Sequence, residues 1–224
     1  MAFALNAESY AQNLPENIEE MKKLEDWPNW KLTVEEELKS MADNDTWQLV
    51  EPPQGRKIVD CKWVFRLKYN SDGSIQKRKA RLVAKGFTQR YGFDFTETYA
   101  PVVRMSTVRM MLAYANQHNL IVHQMDVKAA FLNGQITEEI YMRQPRGFEE
   151  GNMVCKLNKS IYGLKQASKT WNDRFNSFAS KAGFRRCEAD CCLYVRQAGF
   201  SSVYLILYVD DVLIIWVKLV CSWV

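Results

Sequence analysis

The tetrapeptide Tyr208-Val209-Asp210-Asp211 limits what this chain can fold into more than any other feature, because it sets two adjacent carboxylates inside an apolar stretch spanning residues 203–224. Neighbouring carboxylates repel each other, and taking either out of water is costly unless something neutralises it. The stretch invites a membrane-spanning helix, but Asp210, Asp211 and Lys218 would each cost roughly 2.5–3.5 kcal/mol at mid-bilayer. Buried strands fit better. A regular strand would send the two acids to opposite faces, whereas a hairpin turn brings both to one edge, with residues 212–215 as the returning strand.

Carboxylates with no thiols or clustered imidazoles beside them are the hard oxygen ligands that Mg²⁺ or Mn²⁺ prefers. A third acid, Asp126, ends the apolar run LIVHQMDV (120–127), read as a buried strand. Two such strands ending side by side would gather three acids around a pair of ions, an arrangement that stabilises the attacking and leaving oxygens of a phosphoryl displacement. On spacing alone a second reading is equally open, with Asp210 and Asp211 as surface-turn residues and Asp126 as a helix cap.

Ahead of these acids, residues 16–44 read as helix in two pieces, with Pro15 at a first turn and Trp30, Val34, Leu38 and Met41 at helical spacing. Residues 61–68 form a strand with Trp63, Phe65 and Leu67 on one face, and the Asp72-Gly73 step turns it into a partner strand over 75–84. Between residues 62 and 85 stand eight cations (62, 66, 68, 77, 78, 79, 81 and 85) against the single acid Asp72. Lys77, Lys79 and Arg81 share a face. The net charge of +4 does not by itself announce a nucleic-acid partner, so this basic hairpin is read either as a solvated charged face or as a phosphate-binding one. After Pro101 come an amphipathic helix (Val108, Met111, Leu112, Ala115), short strands over 140–142 and 154–157, and a helix carrying Trp171, Phe175, Phe178, Ala179 and Ala182. Strands over 193–197 and 203–209 follow. The expected fold class is α+β.

The six cysteines lack paired spacing and no export signal precedes them, which suits a reduced, intracellular protein, cytoplasmic or nuclear rather than secreted. Cys187, Cys191 and Cys192 lack zinc-finger spacing, and no glycine-rich phosphate loop is present.

Six segments then occur in order: KARLVAKGFTQ (79–89), ETYAPV (97–102), HQMDVKAAFLNG (123–134), EEIYMRQPRGF (138–148), VCKLNKSIYGLKQAS (154–168) and LYVDD (207–211). Together they resemble the reverse transcriptase of copia-type retrotransposons. The resemblance implies the fingers and palm of an RNA-directed DNA polymerase, an antiparallel palm sheet backed by helices, with residues 1–44 as a helical extension, 45–215 as the polymerase domain and 216–224 as an aberrant tail. It implies a chain truncated before the thumb and RNase H segments of the full polyprotein, weak or inactive in synthesis. Asp126, Asp210 and Asp211 match the catalytic carboxylates, which with the backbone of Val127 would hold two Mg²⁺ ions, or Mn²⁺. Phe131 matches the residue that blocks a ribose 2′-hydroxyl. Gln166, Tyr208, Lys79 and Arg81 match nucleotide and template contacts. The implied partners are an RNA or DNA template-primer and a deoxynucleoside triphosphate, with no membrane. The alternative expectation is a non-catalytic, nucleic-acid-binding remnant of a retroelement.

Overall fold

The computed structural model describes residues 14–15, 17–199 and 201–217, with the side chains of Ala198 and Ser201 left aside. The chain divides into two compact units, one made of the described residues up to Asp94 together with Thr137–Leu164, the other of Phe95–Ile136 and the chain from Lys165 onward. Lys218 and Cys221 lie outside the described residues.

The first unit begins with α1 (Ile18–Met21) and α2 (Trp27–Asp43). Asn17 caps α1 through its side chain, and Pro28 occupies the first turn of α2, so the initiating proline is Pro28 rather than Pro15. A four-stranded sheet in the order β1-β7-β6-β2 joins β1 (Trp47–Val50), β2 (Ile58–Val59), β6 (Tyr141–Met142) and β7 (Val154–Leu157), and its β2–β6 pairing is parallel.

The hairpin of β3 (Cys61–Tyr69) and β4 (Ile75–Ala84) stands apart as a two-stranded sheet. Its alternation works as strand geometry requires, with Cys61, Trp63 and Phe65 buried beside Ala80, Leu82 and Ala84. Trp30 of α2 meets Phe65 edge-on at 5.4 Å between ring centres. The connecting loop is longer than a tight two-residue turn. Asn70 N–H donates to the Ser74 carbonyl at 2.8 Å, and Gly73 takes φ +84 while Asp72 keeps an ordinary φ.

The second unit is an antiparallel sheet of five strands in the order β5-β11-β10-β9-β8: β5 (Leu120–Asp126), β8 (Arg185–Arg186), β9 (Leu193–Ala198), β10 (Ser201–Tyr208) and β11 (Asp211–Val217). Helices α3 (Met105–Gln117) and α4 (Ala167–Lys181) belong to the same unit. Asp190 closes the start of α3 from 86 positions away, its carboxylate accepting from Arg104 N–H at 3.0 Å and Thr107 Oγ1 at 2.7 Å. Burial opposes it, but these bonds and the Cys192 amide hold Asp190 below the usual carboxylate range.

Two sequence expectations are corrected in this unit, and one is met. The strand ending at Asp126 is not buried: among the described residues β5 is the sheet's edge, paired with β11 alone, and residues 122–126 are exposed. Leu112 and Phe178, assigned to apolar helix faces, are 41% and 57% exposed. The apolar stretch at 203–217 forms strands, and no helix among the described residues is long and apolar enough to cross a membrane.

Candidate nucleotidyl-transfer site and basic hairpin

Strands β10 and β11 turn through Val209 and Asp210, so Tyr208 stands opposite Asp211 in the ladder. Val209 adopts φ 53, a left-handed conformation that a β-branched residue reaches only under constraint. Two hydrogen bonds supply that constraint. The Trp171 indole of α4 donates to the Val209 carbonyl at 2.8 Å, and Val127 N–H donates to the Asp210 carbonyl at 2.8 Å.

The second bond fastens the turn to the end of β5, whose register sets Asp126 directly across from Asp211. Residues so paired share a face, with Cβ atoms about 4.5–5.5 Å apart, and two carboxylates at that spacing repel. Gln124, two residues before Asp126 on the same face, donates from Nε2 to Asp211 Oδ1 at 3.0 Å. Asp126 is exposed, while Asp210 and Asp211 are half-buried.

The register therefore brings Asp126 and Asp211 together, with Asp210 joined to the end of β5 through its backbone. It does not draw three carboxylates into one cluster, and among the described residues no three His, Cys, Asp or Glu side chains stand close enough to hold a metal ion. The donor chemistry still suits a hard divalent cation, because the convergent groups are carboxylates and the Gln124 amide, with no thiol among them, and His123 falls on the opposite face of β5.

Phe131 lies in a short 3₁₀ helix, Ala130–Asn133, and is 9% exposed. It lines a cleft of about 220 Å³ with Ala100, Pro101, Trp171, Leu207 and Val209, so its ring and the acid turn border the same space. Gly134 lets this helix pass close to α4, since a Cβ there would meet Thr170 Oγ1 at 2.6 Å. Gln166 precedes α4 and is 1% exposed, enclosed rather than presented to solvent. Tyr208 is 45% exposed.

In the first unit, the β3–β4 register sets Arg66 opposite Lys79, Lys68 opposite Lys77 and Val64 opposite Arg81. Lys62, Arg66, Lys68, Lys77, Lys79 and Arg81 consequently share one face, including two like-charge pairs directly across the ladder, which is a destabilising arrangement. The remaining two cations are engaged elsewhere. Arg78 grips Asp26 with bonds of 2.6 and 3.0 Å, and Lys85 bonds Asp60 at 2.5 Å. The Arg81 guanidinium lies 4.4 Å over the Tyr162 ring.

Sequence reasoning missed Trp171 and Gln124 as site residues. The period of two along β5 carries a signal for Gln124; nothing local to the helix marks Trp171. Three cysteines are buried thiols, with Cys61 and Cys155 pushed up to about 12 and Cys192 to about 11, in each case mainly by burial, whereas Cys187 is half-buried and Cys191 exposed.

The chain is thus α+β, with an antiparallel sheet in which Asp126 and Asp211 are register-paired beside the turn that carries Asp210. The profile of the family described as "Reverse transcriptase (RNA-dependent DNA polymerase)" matches residues 44–219, and the chain belongs to that family, in its retrotransposon Pol branch. The chain is similar to the Retrovirus-related Pol polyprotein from transposon TNT 1-94 of Nicotiana tabacum, 44% identical over 205 residues, covering 90% of this chain and 15% of that protein. It is similar to the corresponding polyproteins from transposons RE1 and RE2 of Arabidopsis thaliana, 44% and 41% identical, covering 83% and 92% of this chain and 13% and 15% of those proteins. The chain thus spans about one seventh of the length of these curated relatives.

Proposed function

We propose that this chain is the fingers-and-palm part of an RNA-directed DNA polymerase, the first unit corresponding to the fingers and the second to the palm. The reading rests above all on one observation, the cross-strand pairing of Asp126 with Asp211 beside a turn that carries Asp210. Asp126, Asp210 and Asp211, with the backbone of Val127, would hold two Mg²⁺ ions, or Mn²⁺. When bound, those ions supply charge neutralisation at the attacking and leaving oxygens of an in-line phosphoryl displacement.

The protein's own residues do the positioning. Trp171 and the Val127 amide fix the backbone of the turn so that the carboxylates need not reorganise during the reaction. Phe131 presents bulk at the cleft beside the turn, where it excludes a ribose 2′-hydroxyl and so selects deoxynucleotides. Lys79 and Arg81 meet phosphates of the template or the incoming triphosphate. Gln166 and Tyr208 complete the nucleotide and template set. The substrates are a template-primer and a deoxynucleoside triphosphate, met in a retroelement particle or the nucleus.

Primer extension on an RNA template tests the reading. Asp210→Asn should lower incorporation by about a hundredfold or more, since even the outer partners of metal ligands are worth about 10–100-fold. Equal incorporation by the two proteins removes the assignment.

A second reading is favoured by the six-cation face of β3–β4: a nucleic-acid-binding remnant without catalysis. It expects binding that weakens steeply with salt as counterions are displaced, with no incorporation in Mg²⁺ or Mn²⁺.

A further inference from the structure

We propose that the loop at residues 85–93 in the first unit is a stacking platform for the bases of a single-stranded nucleic acid, with Phe87, Tyr91 and Phe93 as its rings and Arg90 as its cation. The proposal rests on the nucleic-acid reading above and adds a surface to it. Burial in this loop is inverted. The three rings are 78%, 73% and 70% exposed, while Gln89 within the loop and Asp94 just after it are 4% and 8% exposed.

The inward polar groups hold the loop in shape. The Asp94 carboxylate accepts from Arg90 N–H at 2.7 Å, and the Arg90 carbonyl accepts from Asp94 N–H at 2.9 Å. Thr88 Oγ1 donates to the Lys85 carbonyl at 2.9 Å, Gln89 N–H donates to the Gly86 carbonyl at 2.9 Å, and Lys57 reaches the Thr88 carbonyl from outside the loop. Gly86 lets the loop start against the 162–164 segment, because a Cβ there would fall 2.0 Å from the Gly163 carbonyl oxygen. Rings carried on a backbone fixed in this way lose little freedom when a ligand stacks on them.

The charge pattern selects the occupant. Residues 85–93 hold two cations and no acid: Lys85 is bonded to Asp60, Arg90 is exposed, and the neighbouring Asp94 carboxylate is turned to the loop's own backbone. The Arg90 guanidinium lies 5.1 Å over the Phe93 ring, a planar cation set beside an exposed π-face. Exposed aromatics set around an exposed cation match a strand that offers unpaired bases and phosphates together, whereas a duplex keeps its base faces closed.

Affinities of the full chain for a mixed-sequence single strand of about ten nucleotides, and for an abasic strand of equal length, test the platform by fluorescence anisotropy. The abasic strand should bind roughly fivefold more weakly or worse for each ring engaged. That difference should vanish in the triple variant Phe87→Ala, Tyr91→Ala, Phe93→Ala, whose melting temperature should stay near that of the parent because all three rings are exposed. Equal affinity of the parent for both strands overturns the proposal, as does a base-dependent difference that survives in the triple variant. Self-association lost in the triple variant, with base dependence unchanged, assigns the rings to a protein contact and also overturns it. Primer extension separates this result from the polymerase reading: Asp210-dependent incorporation without base-dependent binding leaves the polymerase and removes the platform, and base-dependent binding without incorporation does the reverse.

Discussion

In the β3–β4 hairpin the chain reverses through a five-residue loop in which a glycine, Gly73, takes the positive φ; in β10–β11 it reverses through Val209 and Asp210, with the valine itself at φ 53. The basic hairpin spreads its charge along a whole face, exposed at Lys62, Arg66, Lys68 and Lys77 and half-buried at Lys79 and Arg81, and tolerates two like-charge pairs across the ladder. The acidic hairpin concentrates its charge at one tip and accepts a backbone conformation costing about 1–3 kcal/mol. That cost is offset by the indole of Trp171 and the amide of Val127. The difference suits two kinds of ligand. A polyanion extended along a strand needs many cations and little precision, whereas a small, hard cation needs few carboxylates held in fixed places.

The largest effect should come from breaking the support of the basic hairpin. Gly163 sits at φ +90 where an added Cβ would lie 2.1 Å from the Ala84 carbonyl oxygen and 2.7 Å from Val83 Cγ1, so the end of β4 has no room for a side chain. Gly163→Ala combines left-handed strain with overpacking, and should destabilise the first unit by about 3–5 kcal/mol in denaturant unfolding. A loss below about 1 kcal/mol would mean that β4 is not held by this crossing.

A smaller effect should come from the acidic hairpin. Trp171→Phe keeps an aromatic ring to pack against Phe175, which the indole meets edge-on at 5.8 Å, and removes the N–H bonded to the Val209 carbonyl. One neutral hydrogen bond contributes about 1 kcal/mol, so the Val127 amide, which depends on the same turn, should exchange with solvent about fivefold faster. Amides in β9 should not change. If Val127 exchange is unaltered, Trp171 packs the core without positioning the turn.

How much of this was legible in the sequence follows from the range of each interaction. The β3–β4 strands and their buried alternation could be read directly, because both depend on neighbours two residues apart. The turn at 209–210 was implied by charge inside an apolar run. The exposure of β5 could not be read, since an apolar run does not say whether its strand ends at a sheet's edge or in its middle. Asp190 at the head of α3 and Trp171 at the acid turn were equally hidden, being partners fixed by tertiary structure across 86 and 38 positions. Of the site, the acids stood out by residue type, but their order could not be deduced: the register pairs Asp126 with Asp211 and joins Asp210 through its carbonyl.

The smallest expected effect asks whether the basic face is satisfied from within. Glu37 of α2 accepts weakly from Leu82 N–H at 3.4 Å, beside Arg81 and Lys79. Burial raises its carboxyl above the ordinary value of 4.5, outweighing the opposing pull of the Leu82 amide and the two cations. A folded-state pKa above the unfolded one gives stability that is fully present below about pH 4.5 and lost as pH rises through the folded value. At neutral pH the ionised Glu37 is therefore a net cost, and Glu37→Gln should melt about 1–3 °C higher than the parent, with the gap closing near pH 4. A variant that melts lower at neutral pH would mean that Arg81 and Lys79 draw their stabilisation from this buried acid, leaving less of the face to an outside phosphate, and the contrast between the two hairpins would weaken accordingly.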